Sequence, residues 1–387
     1  MSTQKLIHSA TPARTWNSAS GPLAPRTTEQ ILDQVTTCAL AEEKKDRYES
    51  RSTRLEPFRQ TGIRRIAPPV PALHRWGVVL AGGDGVRLRK LTRWMYGDDR
   101  PKQFCPLLGD RTLLEDTWQR AERSIPAEQI LFSLTRAHED HYLRYLADRP
   151  SQRIVQPLNK GTAPAILSAL MRIAQTDAEA IVSILLCNHY YSSESAFTAA
   201  LASAFEIAEQ RTESVIVLGT QPTRAETEYG WIETGEAIGG YSELFRVKGF
   251  QEKPSLALAE ALLGGGSLWN TSVMVGHVGA FLAIAWATVP SLMQVLESME
   301  VRSYPGGEVR IPDAAYSQIA LTDFSWSVLA LATDSLLAVR LKNIEWNDLA
   351  DSYRVLAAPL EKEGERTGCA WHSSAMETTP WAAKTAA

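Results

Sequence analysis

The 387-residue sequence lacks the features that mark several large classes of protein. It has no run of eighteen or more apolar residues, so no membrane-spanning helix is predicted, and residues 1–20 lack the apolar core of a signal peptide. Charge of neither sign dominates, because 40 Lys and Arg stand against 44 Asp and Glu. This balance gives no support for a general nucleic-acid binder. We therefore expect a cytoplasmic protein with neither a nucleic-acid nor a membrane partner.

Cysteine is scarce as well, with four residues scattered along the chain. Cys38, Cys105, Cys187 and Cys369 show no CxxC spacing, which argues against a zinc site or a disulfide framework. This usage fits a reducing compartment. We expect the thiols to be buried as small apolar side chains.

Composition divides the chain into three parts. Residues 1–74 are predicted to be an N-terminal extension, partly disordered, with one helix at 27–54 and a stiff proline-rich joint at 67–71. Residues 75–360 form the main domain, and residues 361–387 are a polar tail rich in Ala and Thr, expected to be flexible.

The main domain alternates short β-branched runs with helical stretches, which predicts βαβ units. Strands are predicted at 77–81, 129–134, 181–186 and 214–218, and helices at 113–123, 138–147, 163–175 and 194–210. Two later segments, 230–234 and 245–250, have the character of antiparallel strands. The predicted fold is α/β and Rossmann-like, with a mostly parallel mixed sheet flanked by helices.

A glycine-rich loop, LAGGDGVRL at residues 80–88, directly follows the first predicted strand. Gly82, Gly83 and Gly85 permit positive φ angles and close approach of the backbone to a ligand. Successive N–H groups in such a turn attract anions, and Arg87 adds a planar fork that suits phosphate oxygens. A turn with a purely structural role is the alternative for this loop alone.

Two better-known phosphate loops do not match. The Walker pattern GxxxxGK[ST] is absent, and the dinucleotide fingerprint requires a third glycine where this chain has Leu88. A dinucleotide oxidoreductase is therefore disfavoured. A second basic element, RPKQF at residues 100–104, contains Lys102, which could neutralise a triphosphate near the loop. A solvated surface lysine is the alternative.

Taken together, these elements resemble the mannose-1-phosphate guanylyltransferase family of sugar nucleotidylyltransferases. That family carries, in order, LAGGxGxRL, PKQF, TAPAI, PSDH, YGxI, EKP, WN and WxDxG. The corresponding segments here are LAGGDGVRL at 80–88, PKQF at 101–104, TAPAI at 162–166, LCNH at 186–189, YGWI at 229–232, EKP at 252–254, WN at 269–270 and WNDLA at 346–350. The resemblance spans about residues 76–356.

The resemblance implies a nucleotidyltransferase fold, with GTP and mannose 1-phosphate, or GDP-mannose, as ligands. A phosphate oxygen of the sugar 1-phosphate would attack the α-phosphorus of the triphosphate in line, and pyrophosphate would leave. Such chemistry depends on positioning and charge neutralisation, with Mg²⁺ as the expected ion. The sequence leaves open whether the chain forms a homo-oligomer.

The resemblance also assigns roles to individual residues. Arg87 and Lys102 would hold the phosphates in the catalytic step. The nucleotide would contact Leu80, Ala81, Gly82, Gly83, Gly85, Gln156, Gly161 and Thr162. The sugar phosphate would contact Tyr229, Gly230, Glu252, Lys253 and Asn270, although Tyr229 could equally be a core aromatic and Glu252 and Lys253 an exposed charged pair.

The expected metal ligands are Asn188 and Asp348, and here the chain departs from the family. Asn188 stands where the family has the aspartate of PSDH, which removes a negative charge and should weaken Mg²⁺ binding. Ala350 replaces the glycine of WxDxG, which matters if positive φ is needed there.

Several explanations of Asn188 remain open. The enzyme could act with a weakened metal site, or a nearby acid such as Glu226 or Asp351 could take the place of the missing carboxylate. The chain could instead be a catalytically impaired protein that binds nucleotide sugars. A nucleotidyltransferase for another sugar 1-phosphate is a further alternative.

Overall fold

The computed structural model describes residues 74–149 and 151–358. The predicted helix at 27–54, the joint at 67–71 and the tail at 361–387 lie outside these residues, as do Cys38 and Cys369. The division of the chain into three parts therefore stays a prediction.

Strands and helices alternate through the described residues. The strands are β1 Arg75–Leu80, β2 Ile130–Thr135, β3 Gln152–Gln156, β4 Ile181–Leu186, β5 His189–Tyr191, β6 Val215–Thr220, β7 Gly230–Ala237, β8 Leu244–Glu252, β9 Leu268–His277, β10 Arg302–Tyr304, β11 Glu308–Arg310, β12 Leu336–Leu341 and β13 Trp346–Asp348. The helices are α1 Arg89–Tyr96, α2 Leu113–Glu122, α3 Glu139–Leu146, α4 Thr162–Thr176, α5 Glu194–Gln210, α6 Leu256–Gly264, α7 Val278–Thr288, α8 Pro290–Glu297, α9 Asp313–Tyr316, α10 Phe324–Ser327 and α11 Ser352–Ala357.

One large mixed sheet organises the described part of the chain. Its strand order is β10-β11-β3-β2-β1-β4-β9-β6-β12-β8-β7. β11, β3, β2, β1 and β4 pair with one another in parallel, and β12 is parallel to β6. β9 runs antiparallel between β4 and β6, and the β10–β11, β8–β12, β7–β8 and β7–β9 pairings are antiparallel too. This confirms the predicted α/β fold with a mixed sheet flanked by helices. The expectation of a mostly parallel sheet is wrong, because five pairings of this sheet are parallel and six are antiparallel. The antiparallel pair expected around residues 230–250 is also present, as β7 and β8.

The sequences of the central elements explain their positions. β4 reads IVSILL and lies between β1 and β9, where almost every side chain is buried, so a continuous apolar run is favoured over alternation. α2 begins with a capping box in which Thr112 and Glu115 satisfy each other's backbone N–H groups. Cys105 and Cys187 are free and buried, as predicted.

A small second sheet positions the residues that matter most for the site. β5 pairs antiparallel with β13, and this pairing sets Asp348 opposite His189. Asn188 immediately precedes β5, so the two expected metal ligands meet although 160 positions separate them.

No single helix among residues 74–149 and 151–358 is long and apolar enough to cross a membrane. α7 and α8 pass such a test of length and composition only as a pair, across a bend of 119°. Both helices contribute buried side chains to the protein core.

Candidate active site

A cleft of about 490 Å³ opens at the carboxyl ends of β1, β3 and β4. Ligands in open α/β sheets bind at this edge, and the volume is typical of a small-molecule site. Many of the sequence-predicted residues line it, namely Leu80, Ala81, Gly82, Gly83, Gly85, Arg87, Lys102, Gln156, Gly161, Thr162, Asn188 and Asp348. The residues expected at the phosphates, the nucleotide and the metal are therefore brought together.

The three glycines of the loop differ in backbone conformation and in surroundings. Gly85 has a φ of 59°, in the left-handed region that favours glycine. Gly82 does not have positive φ, but a Cβ there would lie 2.8 Å from the Thr135 hydroxyl oxygen. A Cβ on Gly83 would meet no atom of the described residues within 4 Å, and the φ of Gly83 is not positive either. Of the three glycines, only Gly85 adopts the positive φ that glycine permits.

Gln103 fixes the loop from behind. Its side-chain amide donates to the carbonyl oxygens of Ala81 and Gly83, at 2.8 Å each. The side chain is buried, so these two bonds are shielded from water. Gln103 was not among the site residues predicted from the sequence, although it lies next to Lys102 in the PKQF segment.

Lys102 is held at the cleft by the segment that follows β13. Its ammonium donates to the carbonyl oxygen of Leu349 at 2.9 Å. Burial lowers the pKa of Lys102, and the nearby charge of Asp348 opposes that shift. A largely buried ammonium that lines a cleft does not fit the alternative of a solvated surface lysine.

Arg87 is the more exposed of the two expected phosphate-binding cations. Its side chain is 54% exposed, and its guanidinium lies 3.7 Å from the equally exposed carboxylate of Glu228. An ion pair of this kind contributes little and can exchange for a ligand phosphate.

One side of the cleft forms around Gln156. Its amide nitrogen donates to the Ser133 hydroxyl at 3.1 Å, and its oxygen accepts a bond from the Tyr316 hydroxyl. These bonds orient a buried polar side chain at the end of β3.

The start of α4 is locked to a distant segment, residues 321–323. Gly161 has a φ of 94°, and a Cβ there would lie 2.3 Å from the carbonyl oxygen of Thr322. The Thr162 hydroxyl donates to Asp323 at 2.9 Å. Asp323 and Leu321 also line the cleft, and neither was predicted from the sequence. Asp323 lies 161 positions from Thr162, the motif residue that it contacts.

Asn188 and Asp348 meet at the centre of the cleft. The side-chain amide of Asn188 donates to one carboxylate oxygen of Asp348. The backbone N–H of Leu349 donates to the backbone carbonyl of Asn188 at 2.7 Å. Burial raises the pKa of Asp348, against the lowering effect of Lys102 and other nearby cations. Ala350 does not have positive φ, so the glycine of the family pattern is not required for this turn.

Arg354, on α11, gathers three carboxylates and was not predicted from the sequence. Its buried guanidinium lies 3.7 Å from Asp348, 3.6 Å from Glu226 and 3.5 Å from Asp351. It also lies 4.4 Å from the ring centre of Tyr229. Glu226 and Asp351, the acids considered as substitutes for the missing carboxylate, are therefore already paired with an arginine.

The donor set at Asn188 and Asp348 does not fit a magnesium ion held by the protein. Mg²⁺ prefers oxygen ligands and above all carboxylates, whereas here an amide N–H occupies one oxygen of the single carboxylate. The other oxygen faces Arg354. No group of three or more His, Cys, Asp or Glu side chains arranged for a metal occurs among the described residues.

The residues expected at the sugar phosphate form a separate cluster on β7, β8 and β9 and do not line the cleft. Gly230 lies opposite Glu252 across β7 and β8. The backbone N–H of Lys253 donates to the backbone carbonyl of Tyr229 at 3.1 Å, and the Asn270 side chain is buried. The cluster is connected to the cleft because the Tyr229 hydroxyl donates to Asn347, next to Asp348, at 3.1 Å.

Glu252 is the most perturbed acid of this cluster. Burial raises its pKa to about 7, and the negative charges of Asp323 and Asp348 add to the effect. The interpretation of Glu252 and Lys253 as an exposed charged pair is wrong for Glu252, which is partly buried, whereas Lys253 is exposed. Tyr229 is buried between Trp269 and Trp346, so it is an aromatic core residue with its hydroxyl directed to the site.

Relatives of known sequence share this domain. The chain is 28% identical over 312 residues to xanthan biosynthesis protein XanB of Xanthomonas campestris pv. campestris (strain B100), covering 78% of this chain and 62% of that protein. It is 29% identical over 281 residues to mannose-1-phosphate guanylyltransferase ManC of Salmonella typhimurium, covering 70% and 57%. The chain thus matches about three fifths of the length of these relatives.

Solved structures agree with the sequence relatives. A protein of Thermus thermophilus, described as a mannose-1-phosphate geranyltransferase, superposes with a TM-score of 0.62 at 29% identity, covering 74% of this chain and 80% of that one. A Helicobacter pylori protein described as a mannose-6-phosphate isomerase superposes at 0.59 and 21% identity, covering 71% and 100%, which supports the fold alone. The family model of nucleotidyl transferases matches residues 76–350. Because this match covers more than half of the chain, the protein belongs to the nucleotidyl transferase family.

Proposed function

We propose that this protein transfers the guanylyl group of GTP to mannose 1-phosphate, giving GDP-mannose and diphosphate. The observation that carries the proposal is the cleft, in which the glycine loop, Lys102, Gln156 and Thr162 converge beside Asp348. The guanine and mannose assignments rest on the family motifs and on similarity to ManC. A cytoplasmic location remains an expectation, and whether the chain forms a homo-oligomer stays open.

The residues of the chain supply positioning and charge. The loop around Gly83 has space on the cleft side for a nucleotide to approach the backbone. Lys102 and Arg87 would neutralise the phosphates as the sugar phosphate attacks and diphosphate departs. Glu252 and Asn270 would bind the sugar hydroxyls, which discriminates strongly between sugars because unmatched buried polar groups are costly.

Members of the family typically use a divalent metal. In this chain the ion would have to arrive with the phosphates of the nucleotide, because Asn188 and Asp348 are bonded to each other. No step of the reaction is therefore assigned to a protein-held metal.

A second candidate is a protein that binds GTP or GDP-mannose without turnover. The contact between Asn188 and Asp348 favours this second candidate. Where the family pattern has two carboxylates, this chain has a neutral amide and one carboxylate whose charge is compensated by Arg354. The cleft would then act as a sensor site for a nucleotide sugar.

A panel of substrates separates these candidates. GTP, ATP, UTP and dTTP are each combined with mannose 1-phosphate or glucose 1-phosphate, and diphosphate release is measured alongside nucleotide binding by calorimetry. Release with GTP and mannose 1-phosphate supports the proposal, and release with another pair changes the substrate but keeps the reaction. Binding of GTP or GDP-mannose with no release from any pair supports the second candidate.

A further inference from the structure

The acidic side chains that line the cleft already have partners. Asp348 accepts from the Asn188 amide at one oxygen and faces Arg354 at the other. Asp323 accepts from the Thr162 hydroxyl at 2.9 Å and from the Trp326 N–H at 3.0 Å. All four carboxylate oxygens thus face positive or donor groups within the described structure.

The two cations that line the cleft, Lys102 and Arg87, have weaker partners than the acids. Lys102 donates to a neutral carbonyl, that of Leu349, and has no hydrogen bond to a carboxylate of residues 74–149 or 151–358. Arg87 pairs with Glu228 only at 3.7 Å, and both side chains are more than half exposed. The groups left to meet the charge of a ligand are therefore positive.

The orientation of Asn188 follows from elementary hydrogen-bond chemistry. The N–H₂ group of Asn188 faces Asp348 and donates to it, as suits a carboxylate, which in its ionised form can only accept. A dication between the two would require the amide oxygen instead, and the bond to Asp348 would have to break. Metal binding at this point competes with an existing interaction.

We propose that this cleft binds the polyphosphate of a nucleotide without a divalent cation, with Lys102 and Arg87 supplying the positive charge. The inference rests on the proposed nucleotide-binding function and adds that Asn188 uncouples binding from metal. Asp348 then offers little attraction for a further cation, because Arg354, Lys102 and the Asn188 amide already compensate its charge.

Calorimetric titration of GTP into the protein, in EDTA and in excess MgCl₂, tests the inference. The wild-type dissociation constant should change by less than about threefold between the two conditions. Asn188→Asp places a second carboxylate beside Asp348, so its GTP affinity should fall in EDTA and rise at least about tenfold when Mg²⁺ is added. MgCl₂ alone should give saturable binding heat with Asn188→Asp and none with the wild type.

Asp348→Asn provides the opposite change with almost the same shape. Because it removes a negative charge from the cleft, it should make GTP binding in MgCl₂ at least as tight as in the wild type, whereas a metal-held site would lose affinity. Thermal melting establishes that both variants are folded.

Two outcomes overturn the inference, and they are distinguishable. GTP binding that tightens about tenfold or more with Mg²⁺ in the wild type contradicts the inference but leaves the proposed function intact. Absence of nucleotide binding in both conditions contradicts the proposed function as well.

Discussion

The side-chain amide of Asn188 donates a hydrogen bond to the carboxylate of Asp348 at the centre of the cleft. The contact joins the end of β4 to β13 through the small β5–β13 sheet. It places a neutral donor where the family pattern expects a second carboxylate, and it determines how the cleft can hold charge.

Lys102→Gln should lower the rate of nucleotidyl transfer roughly 100- to 1,000-fold, the usual effect of removing one positioned charge from a phosphoryl-transfer site. The ammonium is largely buried at the cleft and held by Leu349. Steady-state kinetics with saturating GTP measure the effect. Lys248→Gln removes an exposed lysine on β8 and serves as the matched control. Equal rates in the two variants would contradict the role of Lys102.

Two glycine substitutions should separate folding from ligand binding. Gly161→Ala forces a side chain into positive φ and against the Thr322 carbonyl, so it should destabilise the protein by at least about 1–3 kcal/mol. The Cβ of Gly83→Ala would meet no atom in the described part of the chain, so the stability of this variant should stay within about 0.5 kcal/mol of wild type while its GTP affinity falls. Chemical unfolding and calorimetry give both quantities. A destabilised Gly83→Ala variant would show that the loop is structural.

Glu252 should make stability depend on pH. Its pKa rises in the folded state to about 7 from an ordinary value of 4.5, so the folded protein keeps a proton that the unfolded chain releases. Stability is therefore lost as the pH rises through this window and is greater below it. Between pH 4 and pH 8, the melting temperature of Glu252→Gln should fall less than that of the wild type. Glu236→Gln, at an exposed position on β7, should show the same fall in melting temperature as the wild type. Identical profiles for wild type and Glu252→Gln would refute the assignment.

Arg354→Gln should destabilise the protein by about 2–3 kcal/mol, somewhat less than the loss of a fully buried ion pair. The change leaves Glu226 and Asp348, both mostly buried, without their shared cation. Urea unfolding measures the loss. Arg93→Gln removes an exposed arginine paired with Asp99 and should melt close to wild type. A similar small effect in both would mean that Arg354 is not the anchor of this cluster.

The sequence predicted the elements whose patterns are local. The runs at 77–81 and 181–186 correspond to β1 and β4, and the helix expected at 163–175 is α4, because apolar periodicity and flanking turns act over short distances. The glycine loop and Lys102 were found by motif order, and the cleft brings them together.

What the sequence could not predict depends on contacts between distant segments. Asp323 reaches the cleft because the Thr322 segment packs on Gly161, and Arg354 because α11 folds back beside β13. Neither residue lies in a recognised motif. The three glycines of the loop permit positive φ, but only Gly85 adopts it. Gly82 is required by its close approach to Thr135, and no described atom near Gly83 requires a glycine there.

The most direct test of the proposed reaction is to follow the label from GTP that carries ³²P at the α-phosphate, in the presence of mannose 1-phosphate. The account predicts that label appears in GDP-mannose in an amount equal to the diphosphate released, and that Lys102→Gln suppresses both. GTP binding without any labelled GDP-mannose, together with no release of GTP from GDP-mannose and diphosphate in the reverse direction, would contradict it.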